Sequence, residues 1–226
     1  MLVYWGCSTE KDLRPLFSDN FSKRHVDIGV GTGYFLAKAI QDTHHEPKDQ
    51  HVTLVDFSEY PLAAARQRVL SNYPEVDIRC VQADAGEPLP DSLQNKQFDS
   101  ASLFLLLHCM PGPTTSKAKA ISNAKSLLTN DGVLVGCSVL GKQWEKTDHG
   151  YIVKDEKPQG RLCSMALRLY NERGIFDNWQ EDPNVFTRVL EDEFGHVETR
   201  VVSMMFIFRA AKPQRVGLQS RSGVDY

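Results

Sequence analysis

The chain is poor in ordered cysteine. Its five cysteines (Cys7, Cys80, Cys109, Cys137, Cys163) are odd in number and scattered, with no Cys-x-x-Cys and no Cys/His ligand spacing. That excludes a disulfide framework and a zinc site, and the expectation is reduced thiols, a cytoplasmic setting and no metal. No apolar run reaches 18 residues, so no membrane span is expected. The first 17 residues have neither a basic start nor an apolar stretch of signal-peptide length. Basic excess is also missing. With 26 Lys and Arg against 29 Asp and Glu the net charge is -3, which argues against a nucleic-acid partner. No internal repeat and no phosphate-binding Gly-Lys-Ser/Thr loop occurs.

With 226 residues the chain makes one domain, or one domain with a lid. Apolar strand-like runs alternate with helical stretches. Strands are expected at 25–30, 51–56, 77–83, 98–107 and 133–139. Helices are expected at 9–18, capped by Ser8 or Thr9, at 33–42, from Ser58 onward, and at about 116–129, ended by Asn130-Asp131-Gly132. Leu62, Ala65 and Val69 stripe the third of these toward a sheet. This alternation implies βαβ units and a mostly parallel sheet. At the end, 196–202 and 204–211 stand nearly back to back and must pair as an antiparallel hairpin. The polar stretch 142–180, helical near 163–173, is expected to lie over the sheet as a lid, and 212–226 to be a disordered tail.

Chemistry concentrates in His25-Val-Asp27-Ile-Gly29-Val-Gly31-Thr-Gly33-Tyr34. Glycines without Cβ let a ligand approach the backbone closely at a strand end, where open α/β sheets bind ligands. The dinucleotide pattern Gly-x-Gly-x-x-Gly fails in both registers, because the sixth position is Tyr34 counted from Gly29 and Leu36 counted from Gly31. A nicotinamide oxidoreductase therefore stays only a distant alternative. The carboxylate inside the run suits an ammonium or a hydroxyl and repels a pyrophosphate. Two further acids, Asp56 and Asp84, end the neighbouring strands. Together they point to S-adenosylmethionine (SAM).

The phrase DIGVGTG resembles motif I of class I SAM-dependent methyltransferases, Asp/Glu-x-Gly-x-Gly-x-Gly. The similarity extends over about residues 25–211 and takes in the acid-ended second strand, the Ala83-Asp84 corner, the FDSAS strand and the final hairpin. DIGVGTGYF and LLLHCMPG look like small-molecule methyltransferases of fungal secondary metabolism. The resemblance implies a doubly wound, seven-stranded Rossmann-like α/β fold. It implies that Asp27 holds the methionine ammonium, directly or through water, while Gly29, Gly31 and Gly33 pass under the amino acid and ribose. Asp56 would accept from both ribose hydroxyls, Phe57 would pack on adenine, and Asp84 with the Ala85 amide would meet the adenine edge. Phe104 joins this cofactor set.

Methyl transfer needs a base only when the nucleophile arrives protonated. His108 is the candidate; the alternative is that it hydrogen-bonds backbone and positions the Met110-Pro111-Gly112 turn. Cys109 beside it is not a catalytic partner, because neighbours on a strand face opposite ways. No Asn-Pro-Pro-aromatic phrase follows the fourth strand, and Phe104 and Leu105 there suit an apolar small molecule. Trp144 and Tyr151, in the polar part of the lid, are the substrate candidates. Only 24 residues precede the first strand, where small-molecule members of the class carry a longer helical cap. The cap is then minimal, or a second subunit supplies it, or catalysis is weakened or lost, leaving a SAM-binding accessory protein. The apolar start Leu2, Val3, Tyr4, Trp5 either pairs in a homodimer or tucks in.

Overall fold

A computed structural model describes residues 5–94 and 97–214. Leu2, Val3 and Tyr4, and the expected tail from residue 215 on, lie outside the described residues. Seven strands form one sheet in the order β3-β2-β1-β4-β5-β9-β8: β1 Arg24–Ile28, β2 His51–Asp56, β3 Asp77–Gln82, β4 Phe98–Phe104, β5 Leu128–Val139, β8 Phe194–Val202 and β9 Met205–Pro213. The first five are parallel, and β9 runs antiparallel between β5 and β8. The doubly wound α/β fold and its C-terminal hairpin are as the sequence implies. The strand order reverses between β1 and β4.

Helices cover both faces, as a parallel sheet requires. One face carries α1 Arg14–Ser18, α2 Tyr34–Asp42, α3 Glu59–Leu70 and α7 Gly160–Glu172, through Phe17, Leu36, Leu62 and Leu167. The other carries α4 Asp91–Gln94, α5 Thr114–Lys117, α6 Lys119–Ser126 and α8 Pro183–Glu193, through Leu93, Ile121, Phe186 and Leu190. The caps expected from sequence form: Ser8 Oγ accepts from the Lys11 amide at 3.2 Å, and Ser58 Oγ from the Tyr60 amide at 3.4 Å. A wider π-type turn, Thr9–Leu13, precedes α1.

Four local expectations need correction. The fourth strand stops at Phe104, because Leu105 adopts φ 59° and the chain then coils into a 3₁₀ turn, Leu107–Cys109. The helix expected near 116–129 is two short ones meeting at Ala118. Asn130-Asp131-Gly132 is not a free turn but bulges out of β5, where the register with β4 jumps from Phe98↔Leu128 to Ser100↔Val133. Strand β9 extends to Pro213, into the stretch expected as tail.

The segment 142–180 is also more ordered than expected. It opens with a hairpin, β6 Gln143–Thr147 and β7 Gly150–Asp155, before α7. Trp5 is buried against Tyr170 and Phe176, with ring centroids 6.4 and 5.9 Å away. Among the described residues no helix is long and apolar enough to cross a membrane.

In the sheet interior Gly136 of β5 faces Phe208 of β9. A Cβ there would stand 2.2 Å from the Phe208 ring, so the ring occupies the room a side chain would need.

Candidate active site

A cavity of about 340 Å³ opens at the C-terminal strand ends beside the β1/β4 switch point. Ile28 and Gly29 form its floor. Asp56 with Phe57, and Asp84 with Ala85, stand at one side. Leu106, Cys109, Met110 and Pro111, from the turn after β4, complete the lining.

Local hydrogen bonds fix these groups. Gly29 donates to the Val55 carbonyl at 2.8 Å, tying the glycine turn to β2. Asp56 Oδ1 accepts from the Ser58 amide at 3.0 Å, and Asp84 Oδ1 from the Gly86 amide at 2.8 Å. Each acid is thus held by its own turn, with acceptor capacity left over. Phe57 is 73% exposed, an aromatic face without a protein neighbour to cover it. Gly31 and Gly33 have φ 53° and 67°, in the left-handed region. A Cβ on Gly33 would strike Ala65 of α3 at 2.9 Å, whereas one on Gly31 would meet nothing within 4 Å. Gly33 therefore serves helix packing, and Gly31 borders open space.

Asp27 lies behind the glycine turn and is only 4% exposed. Ser102 of β4 donates to its Oδ1 at 2.6 Å. Burial pushes the carboxyl up to about 7; the Ser102 hydrogen bond opposes the rise and the Asp56 charge adds to it.

The structure does not bring the other sequence candidates to the cavity. His108 is buried beneath it. Its Nδ1 accepts the Val139 amide at 3.2 Å, its carbonyl accepts from the Asp177 amide at 2.9 Å, and its ring packs edge-on against Phe176 at 4.3 Å. Burial, with the Lys117 charge adding, drives its pKa down to about 3. These are the backbone contacts of the alternative reading, and His108 is not among the residues that line the cavity. Phe104 belongs to an aromatic cluster with Phe17 and Phe35, at 4.9 and 5.0 Å, because it lies on the β4 face turned toward α1 and α2. Tyr151 is buried, donates to Thr199 Oγ1 at 3.0 Å and packs on Phe206. Trp144 packs into the same cluster. The hairpin that carries both lies against α8 and β8, so neither lines the cavity. No residue of 142–180 lines it. That segment instead braces its wall: Asp177 Oδ2 accepts from the Gly112 amide at 2.8 Å.

Residues 26–134 match a family model described as a methyltransferase domain. The O-methyltransferase NEC2 of Pyricularia oryzae is 36% identical, over 94% of this chain and 84% of its own length. The methyltransferase ctvB of Aspergillus terreus is 35% identical, over 95% and 86% respectively. The chain belongs to the class I SAM-dependent methyltransferase family. Solved methyltransferases share the fold at low identity. The N-methyltransferase NodS of Bradyrhizobium japonicum, in complex with S-adenosylhomocysteine, has TM-score 0.57 and 16% identity, covering 89% of this chain and 84% of its own.

The site of this methyltransferase fits SAM on its own chemistry. Two turn-held carboxylates suit hydroxyl and amino donors, an uncovered phenyl suits a planar base, and a glycine with open space beside it admits a ligand against the backbone. Sequence reasoning missed Leu106, Met110 and Pro111 as wall residues, and Ser102 as the partner of Asp27.

Proposed function

We propose that this methyltransferase acts on an oxygen atom of a small, largely apolar metabolite. The observation that carries the reading is the apolar lining that accompanies the strand-end acids. Leu106, Met110 and Pro111 give it an apolar surface, and the ionisable groups among the described lining residues are Asp56, Asp84 and Cys109. The relatives named O-methyltransferases support oxygen as the acceptor.

In this reading Asp56 accepts from the ribose hydroxyls and Phe57 covers one adenine face. Asp84 and the Ala85 amide meet the adenine edge, and Gly29 and Gly31 let the backbone run beneath the cofactor. Asp27 holds the ammonium, directly or through water. The bound cofactor supplies the electrophilic methyl group. The chain's own task is alignment, on the order of 7–11 kcal/mol in favourable cases. With His108 withdrawn behind the wall, the best substrate carries an acidic hydroxyl, such as a phenol, that arrives ionised. The net charge of -3 supports a reaction without nucleic acid, and the five free cysteines support a reducing, cytoplasmic setting.

Incubation with SAM and a panel of phenols, amines and thiols, read by mass spectrometry, tests this. A methyl ether product is expected. Methylation confined to nitrogen or sulfur, or none while S-adenosylhomocysteine still binds, overturns it.

A further inference from the structure

Strands β1 and β4 are buried on both faces, and such strands are ordinarily continuous apolar runs. Here both break the rule on the same face and in register: His25 pairs with Ser100, and Asp27 with Ser102. All four side chains are buried. They are joined in one line. Ser22 donates its amide to Ser100 Oγ at 3.0 Å, Ser100 Oγ lies 2.7 Å from His25 Nδ1, His25 Nε2 lies 3.0 Å from Ser102 Oγ, and Ser102 donates to Asp27 Oδ1 at 2.6 Å.

With Asp27 ionised, the donor and acceptor inventory sets the direction of this line. A serine hydroxyl has one hydrogen. That of Ser102 is committed to the Asp27 carboxylate, so the contact from His25 must be an Nε2–H donation. A neutral imidazole with hydrogen on Nε2 has an accepting Nδ1, which takes the hydrogen of Ser100. Ser100 in turn accepts from the Ser22 amide. The Ser22 hydroxyl stands at the outer end, 2.7 Å from Ser100 Oγ and 3.1 Å from the Arg24 carbonyl, and in this direction its single hydrogen goes to Ser100. Each donor in the line points toward Asp27, and hydrogen bonds in series reinforce one another.

We propose that His25 is a positioning residue for the cofactor, which as a fixed neutral Nε2–H tautomer acts through Ser102 to orient Asp27 and hold it as a carboxylate for the cofactor's ammonium. This rests on the reading of Asp27 given above. The imidazole is held neutral by its surroundings. Phe17 and Phe21, from α1 and the turn after it, pack on the ring at 5.4 and 4.9 Å, and β4 brings only the two serines. Burial takes its pKa down to about 3. The charged group bearing on Asp27 is Asp56 of β2, which favours the protonated acid, so the relay and Asp56 act in opposite directions.

The test is calorimetric binding of S-adenosylhomocysteine across pH 5.5–8.5, with nitrogen NMR of the histidines in the wild-type protein. Ser102→Ala is expected to lose roughly tenfold in affinity near neutral pH, as for a hydrogen bond to a charged group. Loss of that bond raises the Asp27 pKa, so the decline of affinity toward acid should begin about one pH unit higher than in wild type. A merely structural role would weaken binding equally at every pH and overturns the proposal. Ser102→Thr, which keeps the hydroxyl, should restore the wild-type profile. His25→Phe keeps the aromatic packing and should lose roughly threefold or more, with the same pH displacement. The NMR spectrum should show two histidines as Nε2–H tautomers with no titration over this range, His25 and His108, whose Nδ1 accepts the Val139 amide. An Nδ1–H tautomer reverses the line and overturns the proposal without any substitution. Asp27→Asn separates the two layers: unchanged affinity there removes the reading of Asp27, whereas a loss there with none in Ser102→Ala and His25→Phe removes only the relay.

Discussion

The Lys117 ammonium lies 2.8 Å from Glu181 Oε1, with both side chains withdrawn from solvent. Lys117 also donates to the Asp177 carbonyl, and Ser138 donates to Glu181 Oε2 at 3.0 Å. Three distant pieces meet here: α5, the segment between α7 and α8, and β5. The same segment carries Asp177, which braces the cavity wall at Gly112.

Removing one partner leaves the other charge buried and unpaired. Lys117→Met or Glu181→Leu alone is expected to cost about 3–5 kcal/mol of stability, read from urea unfolding. The double variant should recover most of that loss, because a buried pair contributes little beyond an apolar replacement. A double variant as unstable as the sum of the singles would contradict this account.

Asp56→Ala should weaken S-adenosylhomocysteine binding by roughly a hundredfold, as expected for two hydrogen bonds to a charged acceptor. Folding stability should fall by no more than about 1 kcal/mol, from the lost Ser58 hydrogen bond. Calorimetry and urea unfolding on one preparation check both. Unaltered affinity would remove Asp56 from the cofactor site.

Gly31→Ala and Gly33→Ala should separate binding from folding. Both place a side chain at positive φ, at a cost of about 1–2 kcal/mol. Only Gly33→Ala also drives a Cβ into Ala65, so it should lose more stability, about 2–4 kcal/mol in all. Gly31→Ala should keep most of its stability yet bind the cofactor more weakly, because its Cβ enters the space beside the glycine turn. Equal thermal shifts with equal affinities would refute the division of labour.

For His108 the pH dependence carries the sign. Its folded pKa is about 3, below the ordinary histidine value, so its contribution to stability is present above pH 6.5 and is lost as pH falls. The stability gap between wild type and His108→Gln should be widest at pH 7–8 and should narrow below 6.5 by up to about 1.4 kcal/mol per pH unit. The pH dependence of kcat/KM should keep its shape in the variant. Loss of the acid-side limb, the rise of activity with pH, would restore His108 as a base.

Much of this was legible in the sequence because its signals are local. The glycine run, the acid-ended strands and the β-branched stretches fix strands and turns through backbone preference alone, and the parallel order follows from helices between strands. The cavity acids were legible for the same reason: strand ends are where such sheets bind. Trp144 and Tyr151 were misplaced because exposure was inferred from polar neighbours, whereas His108 was a candidate for its place after the fourth strand, with the backbone-bonding alternative beside it. The hairpin that holds Trp144 and Tyr151 turns its apolar face onto α8 and β8, a tertiary fact with no local signature. Leu105 at positive φ was likewise invisible, since nothing in its side chain favours that conformation. The relay did have a signal. His25-Val-Asp27 and Ser100-Ala-Ser102 put polar residues at every second position of strands that should be apolar throughout.

The Gly136–Phe208 contact bears on how the chain assembles. Strand β9 is inserted between β5 and β8, and the phenyl ring finds room only where glycine faces it, so a one-residue slip is blocked by volume as well as by polarity. Until residues 205–213 have emerged during synthesis, β5 remains an open edge able to pair with another chain. The cofactor-binding half of the sheet, complete by residue 139, must therefore wait on a strand more than sixty positions later for protection from aggregation.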